Sequence, residues 1–164
     1  MFKSIKLNLT SACLSLIMVF SVSGYSLAHN HGAHVPDSQS DAMAMMLEYD
    51  AKFIETFNRG DIAQIADLYT EDAIQSEPNM AVPLYGRAAI KAAMGKNADG
   101  MVARNTLSTE VFTAHDLGNG YIAANGSWEM HDKEGTTVRS GLWGNVFRVV
   151  DDGMLMFRES TSRN

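Results

Sequence analysis

Cysteine is nearly absent from this 164-residue chain, which carries one, at Cys13. Proline is scarce at 3 residues, and positive charge is in deficit, with 13 Lys and Arg against 19 Asp and Glu. Each shortage excludes something. A lone cysteine makes no intrachain disulfide and no cysteine-built metal centre. Few prolines exclude a proline-rich spacer, and 46% hydrophobic with 20% charged residues excludes a wholly disordered chain. A net charge of −6 leaves no broad basic footprint, so nucleic acid is not an expected partner. The sequence also lacks a phosphate-binding glycine loop, a HExxH helix and a Ser-His-Asp order.

What is present begins with a leader. Residues 1–28 contain Lys3 and Lys6, no acid, an apolar stretch and a small-x-small ending at Ser26-Leu27-Ala28, which together read as a secretory signal peptide. Its strongly apolar part, residues 13–22, is well short of the ~20 residues that span a bilayer. The protein is therefore expected to be exported, periplasmic or secreted, with no membrane attachment after cleavage. Removing 28 of 164 residues leaves 136, takes away Cys13, and moves the net charge from −6 to −8 because two lysines and no acids are lost.

Residues 29–40 are polar, with Gly32 and Pro36, and read as a flexible tail ahead of one domain at 41–164. From Asp41 the spacing becomes helical, with Tyr49, Phe53 and Phe57 four residues apart on one face. Asn58-Arg59-Gly60 supplies a stop, and Asp61 caps a second helix expected to reach Tyr69. Thr70-Glu71-Asp72 breaks that pattern before a short strand at 73–77, a loop at 78–85 and a third helix at 88–96. Residues 102–115, 121–131, 136–150 and 154–160 are strand-length runs rich in Val, Thr, Phe, Trp and Tyr, joined by short Gly-containing loops. Helices first and a meander last describe an α+β domain.

The strands alternate imperfectly. One face of the third run carries Arg139, Trp143, Asn145 and Phe147 together. A sealed core seldom tolerates such polar groups, since burial without partners costs roughly 1–3 kcal/mol each. Either this face lines an aromatic cavity with a few polar groups, or a partner subunit covers it.

Several short runs carry a resemblance. Asn58-Arg59-Gly60-Asp61, Ala66-Asp67-Leu68-Tyr69, Glu71-Asp72-Ala73, Gly86 followed by Ala89-Ile90, Gly141-Leu142-Trp143 and the Asp152-Gly153 turn resemble the SnoaL-like, nuclear transport factor 2-like, ketosteroid isomerase-like superfamily, over residues 41–162. The resemblance implies a cone: a curved antiparallel sheet wrapped around N-terminal helices (a cystatin-like α+β barrel), with a pocket inside and a homodimer outside. Carried over by position, the family's general base falls at Glu77, ahead of Pro78. Its oxyanion-hole tyrosine falls at Phe53, which has no hydroxyl, and its oxyanion-hole aspartic acid at Asn145, which donates as an amide and not as a carboxylic acid. Losing one such donor typically costs ~2.7–4 kcal/mol of barrier stabilisation, so efficient steroid isomerisation is not expected.

The expected reading is an exported domain binding a small hydrophobic or amphipathic molecule, with no cofactor, as a lyase or isomerase in which Glu77 is the base and Asn145 and Tyr85 orient the substrate. Phe53, Tyr69, Tyr85, Trp128, Arg139, Trp143 and Phe147 are the expected pocket lining. The first alternative is a non-catalytic ligand-binding or association module. The second is the tail: cleavage after Ala28 exposes His29-Asn30-His31, whose free amine and third-position histidine make a square-planar nitrogen set for Cu(II) or Ni(II). His115 and His131 read as surface histidines near strand ends, and Arg139, Arg148, Arg158 and Glu159 as cross-strand ion pairs or an anchor for an anionic ligand. Met43, Met45 and Met46 read as adaptable packing.

Overall fold

The computed structural model describes residues 38–97 and 105–164. The expected signal peptide at 1–28, and His29 and His31 of the expected metal-binding tail, lie outside those residues. The first helix, α1 (Gln39–Arg59), begins two residues before Asp41, because Ser38 is its N-cap and accepts from the Asp41 N–H. Gly60 ends it in the left-handed conformation, φ 72°, with its N–H returned to Phe57. Tyr49, Phe53 and Phe57 stack along the inner face with centroids 6.3 and 6.4 Å apart. Tyr49 also meets Phe147 edge-on at 4.8 Å, which ties the helix to the sheet.

Asp61 caps α2 (Ile62–Asp67) through a bond from the Gln64 N–H. The helix stops short of Tyr69, which is instead the first residue of β1 (Tyr69–Ser76). The expected break at 70–72 is therefore strand: Glu71 and Asp72 face solvent while Tyr69, Thr70 and Ala73 are buried. β2 (Leu84–Tyr85) pairs antiparallel with β1, and Gly86, at φ 85°, opens α3 (Arg87–Asn97). Arg87 fixes this helix start by donating to the Tyr69 carbonyl and pairing with Glu71.

The meander follows as β3 (Thr106–Gly118), β4 (Tyr121–His131), β5 (Thr137–Val150) and β6 (Gly153–Ser160). Asn119 and Gly120, both at positive φ, close the β3–β4 hairpin as a two-residue turn. One six-stranded sheet results, in the order β2-β1-β6-β5-β4-β3, antiparallel except that β1 runs parallel to β6. Among the described residues, no helix is long and apolar enough to cross a membrane.

Two cross-strand pairs shape the inner face. Gly126 of β4 opposes Trp143 of β5, and Trp128 opposes Gly141, so each indole lies over a glycine. A Cβ on Gly126 would sit 2.0 Å from the Glu110 carbonyl oxygen and 2.5 Å from the Trp143 ring. A Cβ on Gly141 would sit 1.9 Å from the Ser162 carbonyl oxygen and 2.8 Å from Trp128 Nε1. The glycines are required by space, not by backbone angle. Their indole N–H groups donate to backbone: Trp143 to the Ser127 carbonyl at 3.0 Å and Trp128 to that of Ser162 at 3.2 Å.

Gly126→Ala must therefore displace strand backbone or an indole, and is expected to cost about 1–3 kcal/mol in denaturant unfolding. Gly144, where nothing lies within 4 Å of the added Cβ, serves as control, and Gly144→Ala should change stability by less than about 0.5 kcal/mol. Equal effects at both positions would contradict the packing account.

Candidate functional site

Between α1 and the inner sheet face lies a cavity of about 210 Å³. Its walls are largely apolar: Phe53 and Phe57 from α1, Ile62 and Ile65 from α2, Met94 from α3, and Trp128, Trp143 and Phe147 from the sheet. Of the expected lining, Phe53, Tyr69, Trp128, Arg139, Trp143 and Phe147 are all there. Tyr85 is not. It stands 68% exposed on the edge strand β2 and does not line the cavity, because it pairs with Ile74, whereas Leu84 pairs with the cavity-lining Gln75.

Glu77 and Asn145 both line the cavity, from different depths. Glu77 follows the end of β1 and is exposed, which places it at the mouth. Its carboxyl is nevertheless raised above the usual range by partial burial, with Arg163 pulling it the other way. Asn145 is buried at 7% exposure, and its Oδ1 accepts from the Ser160 N–H at 3.0 Å. That bond orients the amide and makes Nδ2 its donating end.

The sheet adds a residue that strand alternation hides. On β6, Met154 and Met156 point inward, and strict alternation would send Arg158 after them. Instead Met156 pairs with Phe147 and Arg158 with Val146, so Phe157 is an extra residue, a β-bulge. Beyond the bulge the parity flips. Arg158 faces solvent and Glu159 lines the cavity, beside Gln75 of β1.

Glu159 is the most perturbed acid here. Burial pushes its carboxyl up to about 7, with the nearby Glu77 charge adding to the rise and bonds from Tyr69 and Gln75 opposing it. The Tyr69 hydroxyl donates to Glu159 Oε2 at 2.7 Å, and Gln75 Nε2 donates to the same oxygen at 2.8 Å and to Glu77 Oε1 at 3.1 Å. The Gln75 amide thus bridges two carboxylates. A third acid, Asp50 of α1, also lines the cavity, is raised by burial, and accepts the Thr109 hydroxyl at 2.7 and 2.8 Å. Asp50 did not stand out as a site residue in the sequence, and Glu159 was read there only with Arg139, Arg148 and Arg158, as a cross-strand ion pair or an anchor for an anionic ligand. A polar residue in the aromatic stripe of α1, between Tyr49 and Phe53, was the available signal for Asp50.

The remaining charged candidates lie elsewhere. His131 is engaged with Ser108 at 2.9 Å and Thr137 at 3.2 Å, His115 with Gln39 at 3.0 Å, and neither histidine lines the cavity. Arg148 forms a two-pronged contact with Asp72, at 3.1 and 2.9 Å, and stacks over Phe157 and Tyr121. Among the described residues, no group of three His, Cys, Asp or Glu side chains is arranged to hold a metal ion.

The raised Glu159 sets a stability trend. Its folded pKa near 7 exceeds an unfolded value near 4.5, so the folded state holds more protons between those values and stability falls as pH rises through them. Glu159→Gln should flatten the stability–pH curve between pH 5 and 8, gaining relative to the native protein at pH 8. Parallel curves for the two proteins would show that Glu159 ionises normally.

Comparison with known proteins agrees with this architecture. No curated protein matches the chain. A Nostoc punctiforme domain of unknown function with a cystatin-like fold superposes with TM-score 0.66 at 19% identity, over 77% of this chain and 80% of that one. A nuclear transport factor 2-like protein of unknown function from Shewanella oneidensis gives 0.63 at 18% identity, over 73% and 98%. A ketosteroid isomerase-like protein from Erwinia carotovora atroseptica gives 0.59 at 16% identity, over 73% and 94%. At such identities the likeness is one of fold. Residues 51–156 match the SnoaL-like domain family, and the chain belongs to it.

Proposed function

We propose that the cavity binds a small hydrophobic or amphipathic molecule and that Glu77 acts on it as a general base, in a lyase or isomerase reaction. The observation that carries this reading is a carboxylate with a raised pKa at the mouth of an aromatic cavity. Glu77 takes a proton from a carbon of the bound molecule. The Asn145 amide N–H faces the charge that develops on an adjacent oxygen. With Phe53 lacking a hydroxyl, that charge gets little further help from α1, which suits a substrate more acidic than a simple ketone. Isomerisation returns the proton from Glu77 to a second carbon, whereas elimination passes it to the departing group.

The test begins with native mass spectrometry of protein isolated gently enough to keep a bound molecule, followed by transfer to D2O. Native protein should retain a small molecule and exchange one of its carbon-bound hydrogens. Glu77→Gln should retain the molecule, unfold within a few degrees of the native protein, and exchange ~10²–10⁴-fold more slowly. A bound molecule whose exchange ignores that substitution would remove Glu77 from the chemistry.

A second reading, a homodimer built on the outer sheet face, is favoured by one feature. Val138 and Leu142 point outward from β5 at 47% and 50% exposure, and Phe112 of β3 is 49% exposed. Leu142→Glu should then shift sedimentation from dimer to monomer, and unchanged sedimentation would exclude this face as the contact.

A further inference from the structure

The polar groups of the cavity are unevenly divided between donors and acceptors. Apart from the Asn145 amide N–H, the donors beside its acids are already committed. The Tyr69 hydroxyl and one side of Gln75 both go to Glu159 Oε2, leaving Oε1 served by neither, and the single Thr109 hydroxyl proton lies between the two oxygens of Asp50. The two guanidiniums that line the cavity, Arg139 and Arg163, are exposed residues toward the mouth, and Arg163 acts on Glu77. Tyr49 feels the charge of both Glu159 and Asp50, which act on it from the β1 and β3 sides of the cavity. A ligand group entering there meets carboxylate lone pairs that Tyr69, Gln75 and Thr109 do not fill, and aromatic faces. Both favour a cation that carries N–H donors.

We infer that the cavity takes a small organic ammonium, its N–H groups held by Glu159 with Asp50 and Glu77 supplying further negative charge, and its apolar part against Phe53, Trp128 and Trp143. The inference names the ligand class of the site proposed above and rests on that cavity being a ligand site. An ammonium relieves the cost of burying the Glu159 carboxylate beside the charge of Glu77, which no neutral or anionic ligand does. The remaining titratable groups facing the site, the Tyr49 and Tyr69 hydroxyls, are held far above neutrality by burial and by Glu159, so they stay neutral donors. Binding should therefore strengthen as Glu159 ionises.

Calorimetry with three probes that share a phenylethyl group separates the possibilities: 2-phenylethylamine, 2-phenylethanol and 3-phenylpropanoate. The amine is expected to bind at least tenfold more tightly than the alcohol at pH 8, and the acid least. Its affinity should rise about tenfold from pH 6 to pH 8, as one carboxylate with a pKa near 7 becomes charged. Glu159→Gln should abolish both the preference and the pH effect, and Asp50→Asn should weaken the amine alone. If the alcohol or the acid binds as well as the amine, the cation assignment is overturned and the ligand-site reading stands. If no probe binds at any pH, both fall. The native protein's own probe series decides the matter even where a substituted protein fails to fold.

Discussion

The extra residue at Phe157 decides what the cavity contains. Without that bulge, β6 would turn an arginine inward and a glutamate outward, and the site would be basic. The bulge is held from the outer face, where Arg148 stacks at 4.8 Å over the Phe157 ring and 5.5 Å over that of Tyr121 while gripping Asp72. Arg148 and Asp72 belong to β5 and β1, the two strands that flank β6. One guanidinium therefore spans the strand carrying the bulge. The chemistry inside the cone depends on a contact made outside it, because a one-residue offset exchanges the two faces of a strand.

Bridging by Gln75 gives the inner face a second organising feature. An amide between two carboxylates donates to both without adding charge. It holds Glu77 and Glu159 in fixed relation while leaving their mutual repulsion in place. That repulsion is part of why Glu159 resists ionisation. Tyr69 contributes the other donor, and its position follows from α2 ending early: at the start of β1, opposite Met156, its side chain reaches along the inner face.

Much of the fold was legible in the sequence because its signals are local. The four-residue spacing of Tyr49, Phe53 and Phe57, the caps at Asp61 and Gly60, and the Gly-bearing turns of the meander each depend on neighbours a few residues away. The inward set Trp128, Arg139, Trp143, Asn145 and Phe147 was legible for the same reason, since β4 and most of β5 keep simple alternation. Tyr85 was misplaced because the pairing of a two-residue edge strand is decided by β1, not by its own sequence. Glu159 was hidden because a bulge is a property of a strand pair. The parallel pairing of β1 with β6 joins residues about 84 positions apart, such as Gln75 and Glu159, and no short window reports it.

Both indoles spend their N–H groups on backbone carbonyls, and each rests on a glycine that admits no other side chain. Their rotamers are settled by folding itself. A guest meeting this wall orders no tryptophan and displaces no indole hydrogen bond, so little conformational entropy is lost on that side. Entry and escape are then governed at the rim, where Glu77, Met80 and Arg163 stand on segments outside the strands. For a guest of the proposed kind, access and shape selectivity become separable properties: the first resides in a few rim side chains, the second in a wall that does not yield.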